Sequence, residues 1–143
     1  MPQASRQDPL ESYSFLVEID SLQAAGFSEV YGLEVSTDVI EYREGSDGTV
    51  RKLPGLRKYA NIVLKRGITQ SRELYDWFRS SAEGRLDRRS MKISLLDREG
   101  NIVVIWVVHD AWVTRYEGPT LHAGKNEIAI ETIEIVHEGF ERI

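Results

Sequence analysis

Three histidines (His109, His122, His137) and the carboxylates Glu127, Glu131 and Glu134 are the side chains here best suited to moving protons or holding metals. Such chemistry needs matched sets: a base within hydrogen-bond reach of its partner, or ligands repeated along one face. The spacings do not supply them. His109 and Asp110 are neighbours in a strand-like run, so their side chains point to opposite faces. No HxH, HExxH or acidic metal loop surrounds any histidine, and no GxSxG elbow, P-loop or GxGxxG is present. Glu127, Glu131 and Glu134 alternate with isoleucines, the pattern of a half-wet strand. No catalytic, cofactor-binding or metal-binding residue is assigned; a hydrolase using Glu127, Glu131 and His109 is the enzyme alternative.

Composition narrows the class further. A chain of 143 residues supports one hydrophobic core, and 41% apolar with 29% charged residues is an ordinary globular balance. The net charge of −5 argues against a dedicated nucleic-acid binder, which carries a basic surplus. The basic set Arg51, Lys52, Arg57, Lys58, Lys65 and Arg66 is offset by Glu41, Glu44 and Asp47, and it lacks an aromatic stacking platform. There is no cysteine, so disulfides and thiol chemistry are excluded. The longest apolar run, Ile102 to Val108, has the length of a strand rather than a membrane helix. The N-terminus shows no apolar core of a secretion signal, so synthesis and residence in a cytoplasm are expected.

The elements that would position these residues are mostly strands. Tyr13, Phe15, Val17 and Ile19 alternate; Leu33, Val35 and Val39 share one parity against Glu34, Ser36 and Asp38. Ala60, Ile62 and Leu64 point inward from a further strand whose outward positions include Asn61 and Lys65. Leu74, Trp77 and Phe78 form a helical stripe, capped by Thr69 or Ser71 and stopped at Gly84. MKISLLD and NIVVIWVVHDAWVTRYEG form a hairpin around Asp97–Asn101. The final strand, NEIAIETIEIVHEGF, changes apolar phase between Ile130 and Ile133, which predicts a bulge near Glu131-Thr132. The reading is mainly β: an antiparallel sandwich or small barrel of about six strands with one flanking helix. Residues 1–9 form a flexible arm and residues 10–143 a single domain.

One stretch fits no compact monomer. Residues 42–56 read as a long charged loop, Gly45 to Gly48 followed by a Pro54-Gly55 turn, with little apolar material to bury. Neighbouring copies would immobilise it. The polar strand faces likewise suit the wall of a water-filled passage.

The residues GLEVSTDVIEYREGSDGTVRKLPGLRKYANIVLKRGIT, ELYDWF and AWVTRYEGPTLHAGKNEIAIETIEIVHEGF resemble the phage T4-like tail tube protein family. That family includes the inner-tube subunits of extracellular contractile injection systems of the antifeeding-prophage and Photorhabdus virulence cassette type. The resemblance runs over nearly all the chain after residue 9, although Tyr116 stands where relatives often carry tryptophan and Lys125-Asn126 where they carry Ser-Asn. It implies hexameric rings, stacked into a hollow tube within a contractile sheath, with a continuous β-barrel around the lumen. It implies that Tyr42, Arg43, Glu44, Asp47, Arg51, Lys52, Leu53, Pro54 and Leu56 reach neighbouring subunits and the adjacent ring. With strand parity, it makes Glu34, Ser36, Asp38, Asn61, Lys65, Glu127 and Glu131 candidate lumen residues. The implied partners are the chain itself, a sheath protein, baseplate and tube-terminating proteins, and a protein or DNA cargo, with no specific nucleic-acid binding. A target membrane is met only as part of the particle, which is assembled in a bacterial cytoplasm. No cofactor is implied. The alternatives are a baseplate-proximal tube initiator and a monomeric ligand-binding barrel.

Overall fold

Residue pattern and chain geometry meet in the segment IVVIWVVHDAWVTRYE, which forms one strand of sixteen residues and serves two layers. Asp110 takes φ +52°, a conformation its short polar side chain tolerates, and turns the strand part-way along. The computed structural model describes residues 8–12, 14–22, 26–46 and 48–143. Among them, β1 is Phe15–Ile19, β2 Phe27–Tyr31, β3 Val35–Tyr42, β4 Arg51–Tyr59, β5 Ile62–Gly67, β6 Arg89–Leu96, β7 Ile102–Glu117, β8 Ile130–Val136 and β9 Phe140–Arg142. The helix α1 is Glu73–Ala82.

The strands pair antiparallel in the order β1-β6-β7-β8-β5-β2, with β9 added beside β7. The first half of β7 lies between β6 and β9, and its second half pairs with β8. Both halves send apolar side chains into one core: Val17, Ile19, Met91, Ile93 and Val108 from one layer, Ile62, Leu64, Val113, Ile133 and Ile135 from the other. Full burial of an aliphatic side chain contributes about 1.5–3 kcal/mol, so this set is the main source of stability.

The helix closes the core with its predicted stripe. Leu74 and Trp77 are buried and Phe78 packs beside them. Trp77 Nε1 donates to the Asp87 carbonyl at 2.7 Å, so its one polar atom is satisfied. Gly84 ends the helix at φ +82°, with Gly84 N–H donating to Ser81 O and Arg85 N–H to Ser80 O. Neither Thr69 nor Ser71 is the cap: Arg72 holds that position without a side-chain hydrogen bond, while Ser71 Oγ accepts from Glu73 N–H.

Three expectations are corrected. Among the described residues nine strands stand where about six are expected, because the run over residues 29–44, read as one strand, divides at Gly32, Arg51–Tyr59 is a strand, and Phe140–Arg142 adds another. The bulge at Glu131-Thr132 is absent, since β5 and β8 pair without a shift from Ile62↔Ile135 to Gly67↔Ile130. The apparent phase change arises because Ile130 stands on the half-buried outer face of β8 while the charged Glu131 takes the core phase of Ile133 and Ile135, and Ile128 lies outside the strand, 80% exposed. The first strand starts at Phe15; Tyr13 and residues 1–7 of the predicted arm lie outside the described residues.

Candidate assembly surfaces

The charged excursion is a β-hairpin rather than a loop. β3 pairs with β4 from Val35↔Tyr59 to Tyr42↔Arg51, and neither pairs with any other strand among the described residues. Tyr42, Arg51, Lys52, Leu53, Pro54 and Leu56 are therefore strand residues. Arg43 and Glu44 belong to the short connection, and Asp47 lies outside the described residues. Pro54-Gly55 makes no turn. The ladder shifts between Thr37 and Val39, opposite Gly55 and Leu56, and this irregularity accommodates a residue without an N–H. Within the hairpin Glu41 stands opposite Lys52, and Lys58 Nζ lies 3.2 Å from Asp38.

This hairpin continues the β2–β5 pair outward. At the junction Gly32 takes φ +100°, and a Cβ there would lie 2.1 Å from the Asn61 carbonyl oxygen, so only glycine fits. Ala60 N–H donates to Glu34 O at 3.0 Å and carries the ladder across the break. Beyond it the hairpin exposes apolar side chains: Val39 is 62% and Leu56 77% accessible, with Ile40, Tyr42 and Leu53 about half exposed. An isolated two-stranded hairpin is marginal in water, and its free edges present unpaired N–H and C=O groups.

A second surface is the outward face of β2, β5, β8 and the end of β7. Register places Tyr31 beside Val63, Val63 beside Glu134 and Glu134 beside Arg115; Glu29, Lys65, Thr132 and Glu117 form the next row. Two bases and three acids share this face, largely matched. Lys65 Nζ lies 3.8 Å from Glu29, Arg115 Nη2 3.1 Å from Glu117, and Asn61 Nδ2 donates to Glu134 at 3.0 Å.

Of the predicted lumen residues, Asn61 and Lys65 stand on this face. Glu34 sits at the hairpin junction, Ser36 and Asp38 on β3, and Glu127 on the exposed connection before β8. Glu131 is corrected outright: it is 2% exposed and points into the core. Its Oε1 accepts from Arg66 Nε at 2.6 Å and its Oε2 from the Tyr116 hydroxyl at 2.7 Å. Burial, then the bond to Glu131, pushes the Tyr116 hydroxyl up to about 12. Pattern reading missed Glu29, Tyr31, Arg115, Glu117 and Thr132, and took Glu134 only for a weak acid/base candidate. Of the residues of the hydrolase alternative, His109 lies beside Glu141 at 3.7 Å and Glu131 is held by Arg66. Among the described residues no group of three or more His, Asp or Glu is placed to hold a metal ion.

A projecting hairpin, a polar sheet face and an apolar core behind it describe a subunit built for neighbours, and a family model describes the same object. The model of the T4-like virus tail tube protein gp19 matches residues 11–141. The chain belongs to this family. As a tail tube protein it is similar to a chain in the sheath–tube complex of an extracellular contractile injection system, PVC, in the extended state, at 31% identity, TM-score 0.86, over 94% of this chain and 91% of that one. It is also similar to a chain in the anti-feeding prophage tube-terminating cap, at 29% identity, TM-score 0.90, over 99% and 95%. Hcp1 from Flavobacterium johnsoniae, 18% identical with TM-score 0.56 over 90% and 93%, shares the fold. No curated protein sequence matches this tail tube protein.

Proposed function

We propose that this tail tube protein is the inner-tube subunit of a contractile injection particle or phage tail. Six copies close into a ring, and rings stack into a hollow tube inside a sheath. The outward face of β2, β5, β8 and the end of β7 lines the channel, and the β3–β4 hairpin clamps the next subunit and ring. The observation that carries this reading is the hairpin itself. It leaves Val39 and Leu56 in water and pairs neither edge with another strand among the described residues, a cost that burial against identical copies offsets.

The polar face supports a passive passage. Its bases stand beside acids, so phosphates meet no free cationic row, and a cargo of protein or DNA slides without specific binding. The role is structural rather than enzymatic. Sheath, baseplate and tube-terminating proteins are the partners outside the ring, and a target membrane is reached only through the whole particle, which is assembled in a bacterial cytoplasm. Residues 10–143 act as one domain in this reading.

The test is electron microscopy of the expressed chain beside a variant lacking Gly45 to Thr49. Tubes or rings from the parent and only folded, unassembled subunits from the variant support the clamp. Normal tubes from the variant contradict it.

A further inference from the structure

The point where the hairpin leaves the body is held by one imidazole. His137 follows β8, and its Nε2 lies 2.9 Å from the carbonyl oxygen of Ala60, the first of the two residues joining β4 to β5. A carbonyl only accepts, so Nε2 carries the proton. On the other side of the ring, Gly139 N–H donates to Nδ1 at 3.1 Å, so Nδ1 is bare. Together the bonds specify the neutral imidazole and its tautomer. Ala60 is also where the ladder crosses to Glu34, so the ring is tied to the pivot of the hairpin. Tyr59, the last residue of β4, packs edge-on against His137 and Phe140, with centroids 5.7 and 5.3 Å away. Gly139 lies under the Tyr59 ring, where a Cβ would be 3.2 Å from its carbons.

We propose that His137 is a positioning residue: neutral, it fixes the angle of the β3–β4 hairpin, and protonated, it releases it. The added proton sits on Nδ1 and faces the Gly139 N–H, donor against donor, so that bond is lost. The groups facing the ring do not compensate. From β4 come Tyr59 and, at its hydroxyl, the Arg57 guanidinium at 3.4 Å, which is itself cationic. Across the turn toward β7 and β9, His109 is engaged with Glu141. Among the described residues no carboxylate is in hydrogen-bond or ion-pair contact with His137. The hairpin is therefore held while the ring is neutral and loosened once the ring is charged. This goes beyond the tube reading, since it concerns the single chain; an effect on tube growth would rest on that reading.

The experiment uses the full chain, unassembled. Amide hydrogen exchange at Gly139 and Ala60 is compared between the neutral and the protonated ring, whose state is read from its own nitrogen shifts along a pH series, as protection corrected for the intrinsic rate. Protection should fall about tenfold on acidification. His137→Asn, which keeps an acceptor for Gly139, and His137→Gln, which keeps a donor for Ala60, should show no such fall, whereas His109→Gln should retain it. Ring nitrogen shifts of the parent should show bare Nδ1 at the higher pH, a readout that needs no variant. Unchanged protection in the parent, an equal fall in the His137 variants, loss of the fall in His109→Gln, or a protonated Nδ1 at the higher pH would each overturn the proposal. Because every readout is taken on the monomer, failure to form rings leaves the result interpretable.

Discussion

Glu131 Oε1 lies 2.6 Å from Arg66 Nε, at directly opposed positions of β8 and β5, with both side chains buried. Tyr116 of β7 binds the second carboxylate oxygen, and Tyr75 of α1 meets the Tyr116 ring edge-on at 5.2 Å. One ionic contact thus ties three strands and the helix. It also fixes register, because a one-residue slip of either strand would carry its own charge to the outer face, leave the other buried without its partner, and bring Thr132 or Lys65 inward. The polar face is outward partly because this pair is inward.

Breaking the pair from one side strands a buried charge. Glu131→Ala should therefore cost about 3–5 kcal/mol, read as a drop in the urea midpoint. Replacing both, as Arg66→Met with Glu131→Leu, should cost far less than the sum of the single changes. Single changes costing under about 1 kcal/mol would show that the pair is not held as described.

Tyr116 gives a signature in alkali. Its hydroxyl titrates at about 12 in the folded chain against an ordinary 10.0, so the folded state keeps a proton that the unfolded chain gives up first. Its contribution is complete below the ordinary value and is lost as pH rises toward about 12. Tyr116→Phe removes that titration. Urea unfolding of both proteins across this range should therefore show the stability gap narrowing with pH. A constant gap would contradict the raised hydroxyl.

Gly32→Ala should act at the junction. The new Cβ would sit 2.1 Å from Asn61 O at a backbone angle alanine avoids. A loss of at least about 1–3 kcal/mol is expected, together with loss of assembly. Thermal unfolding and electron microscopy check the two halves of that statement.

The hairpin surface separates folding from assembly. Val39→Asp and Leu56→Asp alter exposed positions, so the unassembled chain should keep its stability within about 0.5 kcal/mol. Sedimentation should then show that neither variant polymerises. Polymerisation equal to the parent would remove these residues from the clamp.

What pattern could and could not reveal follows from the range of the forces involved. The helix was legible because Leu74, Trp77 and Phe78 repeat at helical spacing and Gly84 marks the stop, all local signals. The antiparallel β architecture was legible from alternation. Glu131 was not, for its charge hid the fact that it shares the core phase of Ile133 and Ile135, and its partner Arg66 is distant in sequence. Arg115 and Glu117 were hidden by the register shift after Val113, which breaks simple parity. Pro54-Gly55 looked like a turn because its local chemistry is that of a turn; only the facing strand converts it into a bulge. Long-range pairing decided each of these.

A density map of the assembled tube, resolving side chains, decides which face of the subunit meets the channel and where the hairpin lies. Glu29, Tyr31, Lys65, Arg115, Glu117 and Glu134 should stand on the channel wall, with the β3–β4 hairpin seated on another copy. The same face packed between subunits or turned toward the sheath, or a hairpin touching no neighbour, would contradict that arrangement.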